Sequence, residues 1–166
     1  MRGRKIPKSV TPEEFVKLIK AIAKKEKQFR VAALLAYGAG MRISEVKKCS
    51  KEHFKGQSIE IRGSKYGVDR IVPIPKGWRP WMDLYLPLKK SVRSIDRNFK
   101  TYAAKAKLNP EYTFHSLRHG FATRLIERGV PLNHIQVLLG HSDISTTGIY
   151  LKARPIDALK SYEELF

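Results

Sequence analysis

Between residues 58 and 74 the hydrophobic pattern leaves the helical period that it follows on either side. Ser58-Ile59-Glu60-Ile61 alternates, Gly63-Ser64-Lys65-Tyr66-Gly67 is turn chemistry, and Arg70-Ile71-Val72-Pro73-Ile74 reads as a returning strand. The expectation is a β-hairpin with Lys65 near its tip. Everything else that carries a clear period reads as helix, so the fold class is mainly α with a small antiparallel β-sheet.

The helices announce themselves by their ends. Thr11 can cap, Pro12 suits a first helical position and Glu14 completes a capping box. Phe15, Leu18, Ile19 and Ile22 then share one face, while Lys17, Lys20 and Lys24 point elsewhere. The nearly all-apolar residues 29–37 read as a buried helix stopped by Gly38-Ala39-Gly40, and residues 43–49 as a short one. Residues 75–90 hold Pro75, Gly77, Pro80, Pro87 and both tryptophans, which supports only irregular or short helical structure. From Ser91 a helix places Ile95, Phe99, Tyr102 and Ala106 on one side and ends before Asn109-Pro110. Another, over residues 116–128, has Leu117, Phe121 and Leu125 as its stripe and Gly129 as its stop; a third, Leu132–Leu139, is opened by Pro131 and ended by Gly140. In the tail, Ile156, Leu159, Tyr162 and Phe166 fall roughly on one face, too short a piece to be stable alone. The organisation expected is a basic linker over residues 1–10, one domain over 11–153, and a tail over 154–166. That tail needs a surface to pack on, and its own domain offers one.

Lys and Arg number 33 against 15 Asp and Glu, a formal charge of +18. Solubility alone does not require so much, and a polyanionic partner is the economical explanation. Residues 1–100 carry 25 of the basic side chains against 9 acids, so the main electrostatic footprint lies there. A membrane is the weaker candidate, because the chain lacks the apolar run of about 18 residues or more that a spanning helix needs. The start, MRGRKIPKSV, lacks the apolar stretch of a secretory signal, and a soluble intracellular protein is expected. A single cysteine, Cys49, excludes an internal disulfide and a cysteine-pair zinc site.

Two segments concentrate chemistry: His115-Ser116-Leu117-Arg118-His119, and Leu138-Leu139-Gly140-His141-Ser142 followed by Thr146-Thr147-Gly148-Ile149-Tyr150. Phosphoryl transfer without a metal needs fixed positive charge for the non-bridging oxygens, a proton donor for the leaving oxygen, and a nucleophile. On a helix His115 and Arg118 lie on one face and can address one phosphate, and the planar fork of an arginine holds two oxygens at once. His115 and His119 also have the spacing of a helical metal pair, but Arg118 between them would repel a cation and no Glu follows His115, so no metal site is expected. His53 and His134 match no motif and are assigned structural roles. Gly148, two residues before Tyr150, costs helix stability and suggests that the tyrosine segment is mobile.

These segments resemble the tyrosine recombinase (phage integrase) family, whose signature is an H-x-L-R-H stretch, an L-L-G-H-S stretch and a tyrosine nine residues beyond that histidine. His141 and Tyr150 have that separation. Gly40-Met41-Arg42-Ile43-Ser44-Glu45 matches the family's G-x-R-I-S-E segment, and Lys65 lies eight residues before Pro73, as the family's catalytic lysine lies before a V-P proline. The matches run from Arg42 to Tyr150; Lys8-Ser9-Val10-Thr11 resembles more loosely the usual start of the catalytic domain.

The resemblance implies a catalytic-domain fold of that family and a role for each matched residue. Arg42 and Arg118 would clamp the scissile phosphate, and Lys65 would protonate the departing 5′ oxygen. His115 and His141 would bind the phosphate and manage protons, and Tyr150 would form a 3′-phosphotyrosyl bond. Glu45 and His119 would support them, Glu45 by orienting Arg42. The implied function is site-specific DNA recombination or integration with no metal, nucleotide or other cofactor. Double-stranded DNA would be the partner, with a homo-tetramer on DNA and weak association or a monomer without it, and the tail over 154–166 would dock on a neighbouring protomer as in related recombinases or else pack on its own domain. The setting would be the cytoplasm of a prokaryote, at the nucleoid, or expression from a virus or mobile element. A type IB topoisomerase and a non-catalytic DNA-binding module of the same fold are the alternatives. Family members usually carry an N-terminal core-binding domain, and nothing of that size precedes Thr11. A fragment or a minimal protein is therefore expected, with weak DNA affinity in isolation. Residues 75–94 also look compact for the family.

Overall fold

The computed structural model describes residues 8–62, 70–140 and 155–166, with side chains of the last stretch from residue 158 onward. Among these residues the chain is mainly helical with a three-stranded antiparallel sheet. In order run α1 (Pro12–Ala21), α2 (Lys27–Ala39), α3 (Ile43–Lys48), a 3₁₀ turn (Lys51–His53), β1 (Phe54–Lys55), β2 (Ser58–Ile61) and β3 (Arg70–Pro73). A second 3₁₀ segment (Pro80–Tyr85) leads to α4 (Val92–Lys105), α5 (His115–Glu127), α6 (Leu132–Leu139) and α7 (Pro155–Leu165). No described helix is long and apolar enough to cross a membrane.

The capping box at α1 forms as the sequence indicates: the Glu14 amide donates to Thr11 Oγ1 at 3.3 Å and the Thr11 amide to Glu14 Oε2 at 2.9 Å. Helix α2 is the scaffold, with Phe29, Val31, Ala32, Ala33, Leu35 and Ala36 fully buried. Its small side chains let α5 lie close against it, and the two helices pack together more extensively than any other pair of described elements. Gly40 ends α2 in the left-handed region at φ 65°, and a Cβ there would sit 2.5 Å from the Phe121 ring on α5. Two apolar clusters result among the described residues. The larger joins α1–α4 to the sheet, and the smaller gathers Phe121, Leu125, Val130, Ile135, Leu138 and Tyr162. Helix α5 contributes Leu117 to the first and Phe121 to the second, so Arg118 lies where they meet.

The strands are ordered β1-β2-β3, with Ile59 opposite Val72 and Ile61 opposite Arg70. Strand β1 was not expected from the sequence: two residues are too short for an alternation to register. It returns across Gly56-Gln57, where Gly56 has φ 59°, and pairs Lys55 with Ser58. The hairpin turn that carries Lys65 lies outside the described residues. In the proline-rich stretch, Trp78 Nε1 donates to Asp83 Oδ1 at 2.9 Å and the Lys27 ammonium sits 4.7 Å over the Trp81 ring. These contacts hold the short 3₁₀ segment against α2. Helix α7 lies on α6 and β3 of its own chain. Ala158, Leu159 and Tyr162 are buried, Tyr162 stacks on Phe121 and Phe166, and His134 and Ser161 are hydrogen-bonded at 2.7 Å.

Candidate active site

Arg42 is the residue before the first turn of α3, placed by the chain reversal at Gly40. Its amide donates to Glu45 Oε2 at 2.8 Å and its Nη1 to Glu45 Oε1 at 3.1 Å, so one carboxylate both caps the helix and holds the side chain. Its Nη2 donates to the Gly140 carbonyl at 3.2 Å. With its side chain 33% exposed, Arg42 still faces solvent.

Arg118 occupies the first turn of α5 and is 4% exposed. Its Nη1 donates to the Gly40 carbonyl at 2.7 Å and its Nη2 to the Leu139 carbonyl at 2.6 Å. Burial, then the like charges of Arg42 and Arg70, push its guanidinium down to about 9, with Glu45 opposing. It therefore remains a cation at neutral pH, and an anion placed beside it would relieve the strain of burying that charge.

A third guanidinium completes the group. Arg70, opening β3, donates from Nη1 and Nη2 to the two oxygens of Glu45 at 2.6 and 2.7 Å and from Nε to the Leu138 carbonyl at 2.8 Å. Its side chain is 1% exposed. Leu138, Leu139 and Gly140 thus each give their carbonyl to a different arginine. These carbonyls end α6, where oxygens lack intrahelical partners and the helix dipole is negative, so cations from β3, α5 and α3 converge there for a physical reason. Burial works to raise the Glu45 carboxyl, but hydrogen bonds and charge from Arg70, then from Arg42, outweigh it and hold the group below its ordinary range. Among the described residues of this cluster, one carboxylate faces three guanidiniums.

His115 opens α5 and His119 follows one turn later, their rings edge to face at 4.5 Å. Burial and the neighbouring Arg118 lower His119, which favours its neutral form. The structure thus gathers Arg42, Glu45 and Arg118 and sets His115 and His119 on the Arg118 helix. Lys65, His141, Gly148 and Tyr150 lie outside the described residues. Sequence reasoning missed Arg70. The signal was present: strand alternation puts residue 70 on the face of Val72, which points an arginine inward.

Comparison with known proteins gives a consistent set of likenesses. Residues 85–155 match the phage integrase family. Tyrosine recombinase XerA of Thermococcus kodakarensis is 38% identical over 97% of this chain and 63% of its own length. The XerA of Pyrococcus furiosus is 37% identical over 89% of this chain and 58% of its own length. The chain spans less than two thirds of either relative. Among solved structures, an integrase from mycobacterium phage Brujita superposes with a TM-score of 0.76 at 22% identity, covering 100% of this chain and 60% of the other. A XerA recombinase superposes with 0.69 at 24%, covering 96% and 65%. Lambda integrase, solved as a tetramer bound to a Holliday junction, superposes with 0.61 at 23%, covering 87% and 50%.

Proposed function

Because the chain belongs to the phage integrase family of tyrosine recombinases, we propose that it breaks and rejoins DNA by transesterification through Tyr150. The phenolic oxygen attacks the scissile phosphate, a 3′-phosphotyrosyl bond forms, and the 5′ oxygen leaves with a proton from Lys65. A 5′ hydroxyl of another strand then reverses the step, which conserves the phosphodiester bond and makes strand exchange possible without an external energy source. Arg42 and Arg118 hold the non-bridging oxygens, and His115 and His141 bind the phosphate and manage protons. Glu45 orients Arg42, and neutral His119 lies beside Arg118.

The observation that carries this reading is the charge balance at the end of α6. Among the described residues, one carboxylate against three guanidiniums leaves an excess of two positive charges, fixed by backbone carbonyls. A phosphodiester brings one negative charge, and the pentacoordinate transition state of its transesterification gathers a second. A prearranged double positive charge therefore favours the transition state over the bound substrate, which is the condition for catalysis. The free phenol has a pKa of about 10, and the same excess favours its anion as it attacks.

Double-stranded DNA is the partner that this reading requires, in keeping with the formal charge of +18. The assembly proposed is a homo-tetramer on DNA, with residues 1–10 as a linker and 154–166 as a tail to the catalytic domain. The test is a cleavage assay on nicked suicide duplexes and Holliday junctions in EDTA, comparing wild type with Tyr150→Phe. A covalent adduct that the substitution abolishes is the expected outcome. No adduct on any DNA, binding notwithstanding, would replace the reading with a non-catalytic DNA-binding module. Supercoil relaxation without strand exchange would replace it with a topoisomerase.

A further inference from the structure

Arg70 joins the carboxylate beside Arg42 to the end of α6, yet with 1% of its side chain exposed it has almost no surface to offer DNA. What it touches is the carboxylate that holds Arg42. Each Glu45 oxygen receives two donors: Oε1 from the Nη1 atoms of Arg70 and Arg42, and Oε2 from Arg70 Nη2 and the Arg42 amide. The Arg70 bonds, at 2.6 and 2.7 Å, are shorter than the 3.1 Å bond from the Arg42 side chain, so the carboxylate's charge is directed mainly at Arg70. Meanwhile Arg70 Nε ties the start of β3, five residues beyond Lys65, to the Leu138 carbonyl, three residues before His141.

We infer that Arg70 is a positioning residue for the cleavage reaction: by neutralising Glu45 it keeps the Arg42 guanidinium from closing onto that carboxylate, leaving it for the scissile phosphate. The inference rests on the reading that Arg42 holds that phosphate. Without the Arg70 charge, Glu45 would draw in Arg42, whose partly exposed side chain is already within 3.1 Å and would exchange its 3.2 Å bond to the Gly140 carbonyl for a two-pronged pair. The site would keep its shape but lose one of the charges aimed at the transition state. A purely mechanical role for Arg70, confined to the Leu138 bond, would have no such dependence on Glu45.

The test is single-turnover cleavage at saturating suicide substrate, with DNA affinity measured separately by fluorescence anisotropy. Arg70→Gln is expected to lose on the order of 10–100-fold in cleavage rate, the range typical when a group that orients a site residue is removed, with DNA affinity little changed. Glu45→Gln/Arg70→Gln removes the carboxylate that would capture Arg42 and is expected to cleave faster than Arg70→Gln alone. A wild-type rate in Arg70→Gln, or a double variant no faster than the single one, overturns the inference. Should the unpaired carboxylate prevent Arg70→Gln from folding, Arg70→Lys carries the comparison. It keeps the charge and is expected to cleave faster than the double variant; a folded Arg70→Lys that does not overturns the inference. If wild type itself forms no adduct, the cleavage reading fails and the Arg70 inference is tested without turnover. Inorganic phosphate is then expected to move the Arg42 Nε–Hε resonance in wild type and to leave it in place in Arg70→Gln. An Arg42 response that survives in Arg70→Gln overturns the inference.

Discussion

Replacing Glu45 by Gln tests the charge arrangement directly, because it removes the carboxylate while leaving nearly all the volume. The substituted side chain can still accept hydrogen bonds at one oxygen, but its amide nitrogen turns a donor toward Arg70 or Arg42, which are donors themselves. Arg70, 1% exposed, is left as a buried cation without its counter-charge. Breaking a buried pair in this way costs about 3–5 kcal/mol, a large share of the roughly 5–15 kcal/mol that holds a domain folded. For a domain of this size each kcal/mol moves the melting temperature by about 2–4 °C, so a fall of roughly 6–20 °C is expected. Urea denaturation and thermal melting followed by circular dichroism at neutral pH provide the measurement. The pH dependence supplies a second axis. Glu45 titrates below its ordinary value of 4.5 in the folded chain, so its contribution is fully present above that value and is lost as pH falls through the folded pKa. The gap between wild type and Glu45→Gln should therefore be constant toward neutrality and close in acid. A difference under about 1 kcal/mol at neutral pH, the scale of an exposed ion pair, would refute the view that this carboxylate anchors Arg42 and Arg70. A gap that widened in acid would refute the sign of the coupling.

Other outcomes follow from the same geometry. Gly140→Ala forces an ordinary residue into φ 63° and sets its Cβ 2.8 Å from Arg70 Cδ, so a loss of about 1–3 kcal/mol is expected, measured by urea denaturation. Arg118→Lys keeps a charge but cannot reach the Gly40 and Leu139 carbonyls with two fixed prongs; cleavage of a suicide substrate is expected to fall on the order of 10²–10³-fold. Burial pushes the Cys49 thiol up to about 12, so a thiol reagent at pH 8 should leave the native chain unlabelled and modify it fully in denaturant. Prompt labelling of the native chain would place Cys49 outside the core.

What could be read along the chain was what neighbours in sequence decide. The Thr11–Glu14 capping box, the stop at Gly40, the stripe Leu117-Phe121-Leu125 and the alternation of residues 58–61 and 70–74 are settled within a few residues by hydrogen-bonding and side-chain periodicity. The link from Glu45 to Arg42 belongs here too, since the two are one helical turn apart and meet through a cap. Packing decided the rest. Strand β1 exists because β2 offers it an edge, and α7 acquires its place from α6 and β3. The partners of the buried arginines are the plainest case: Arg70 reaches Glu45 across 25 residues, and Arg118 reaches Gly40 across 78. A guanidinium buried in a core must find acceptors wherever folding leaves them, and at the end of α6 those are carbonyls that the Gly140 stop marks as open without saying which arginines will reach them. The sequence by itself therefore determined which side chains carry charge and on which helix or strand face each stands. Only the tertiary structure decided that three of them would meet at one helix end, two of them on one carboxylate, because that depends on which elements pack together to bury the same apolar surface.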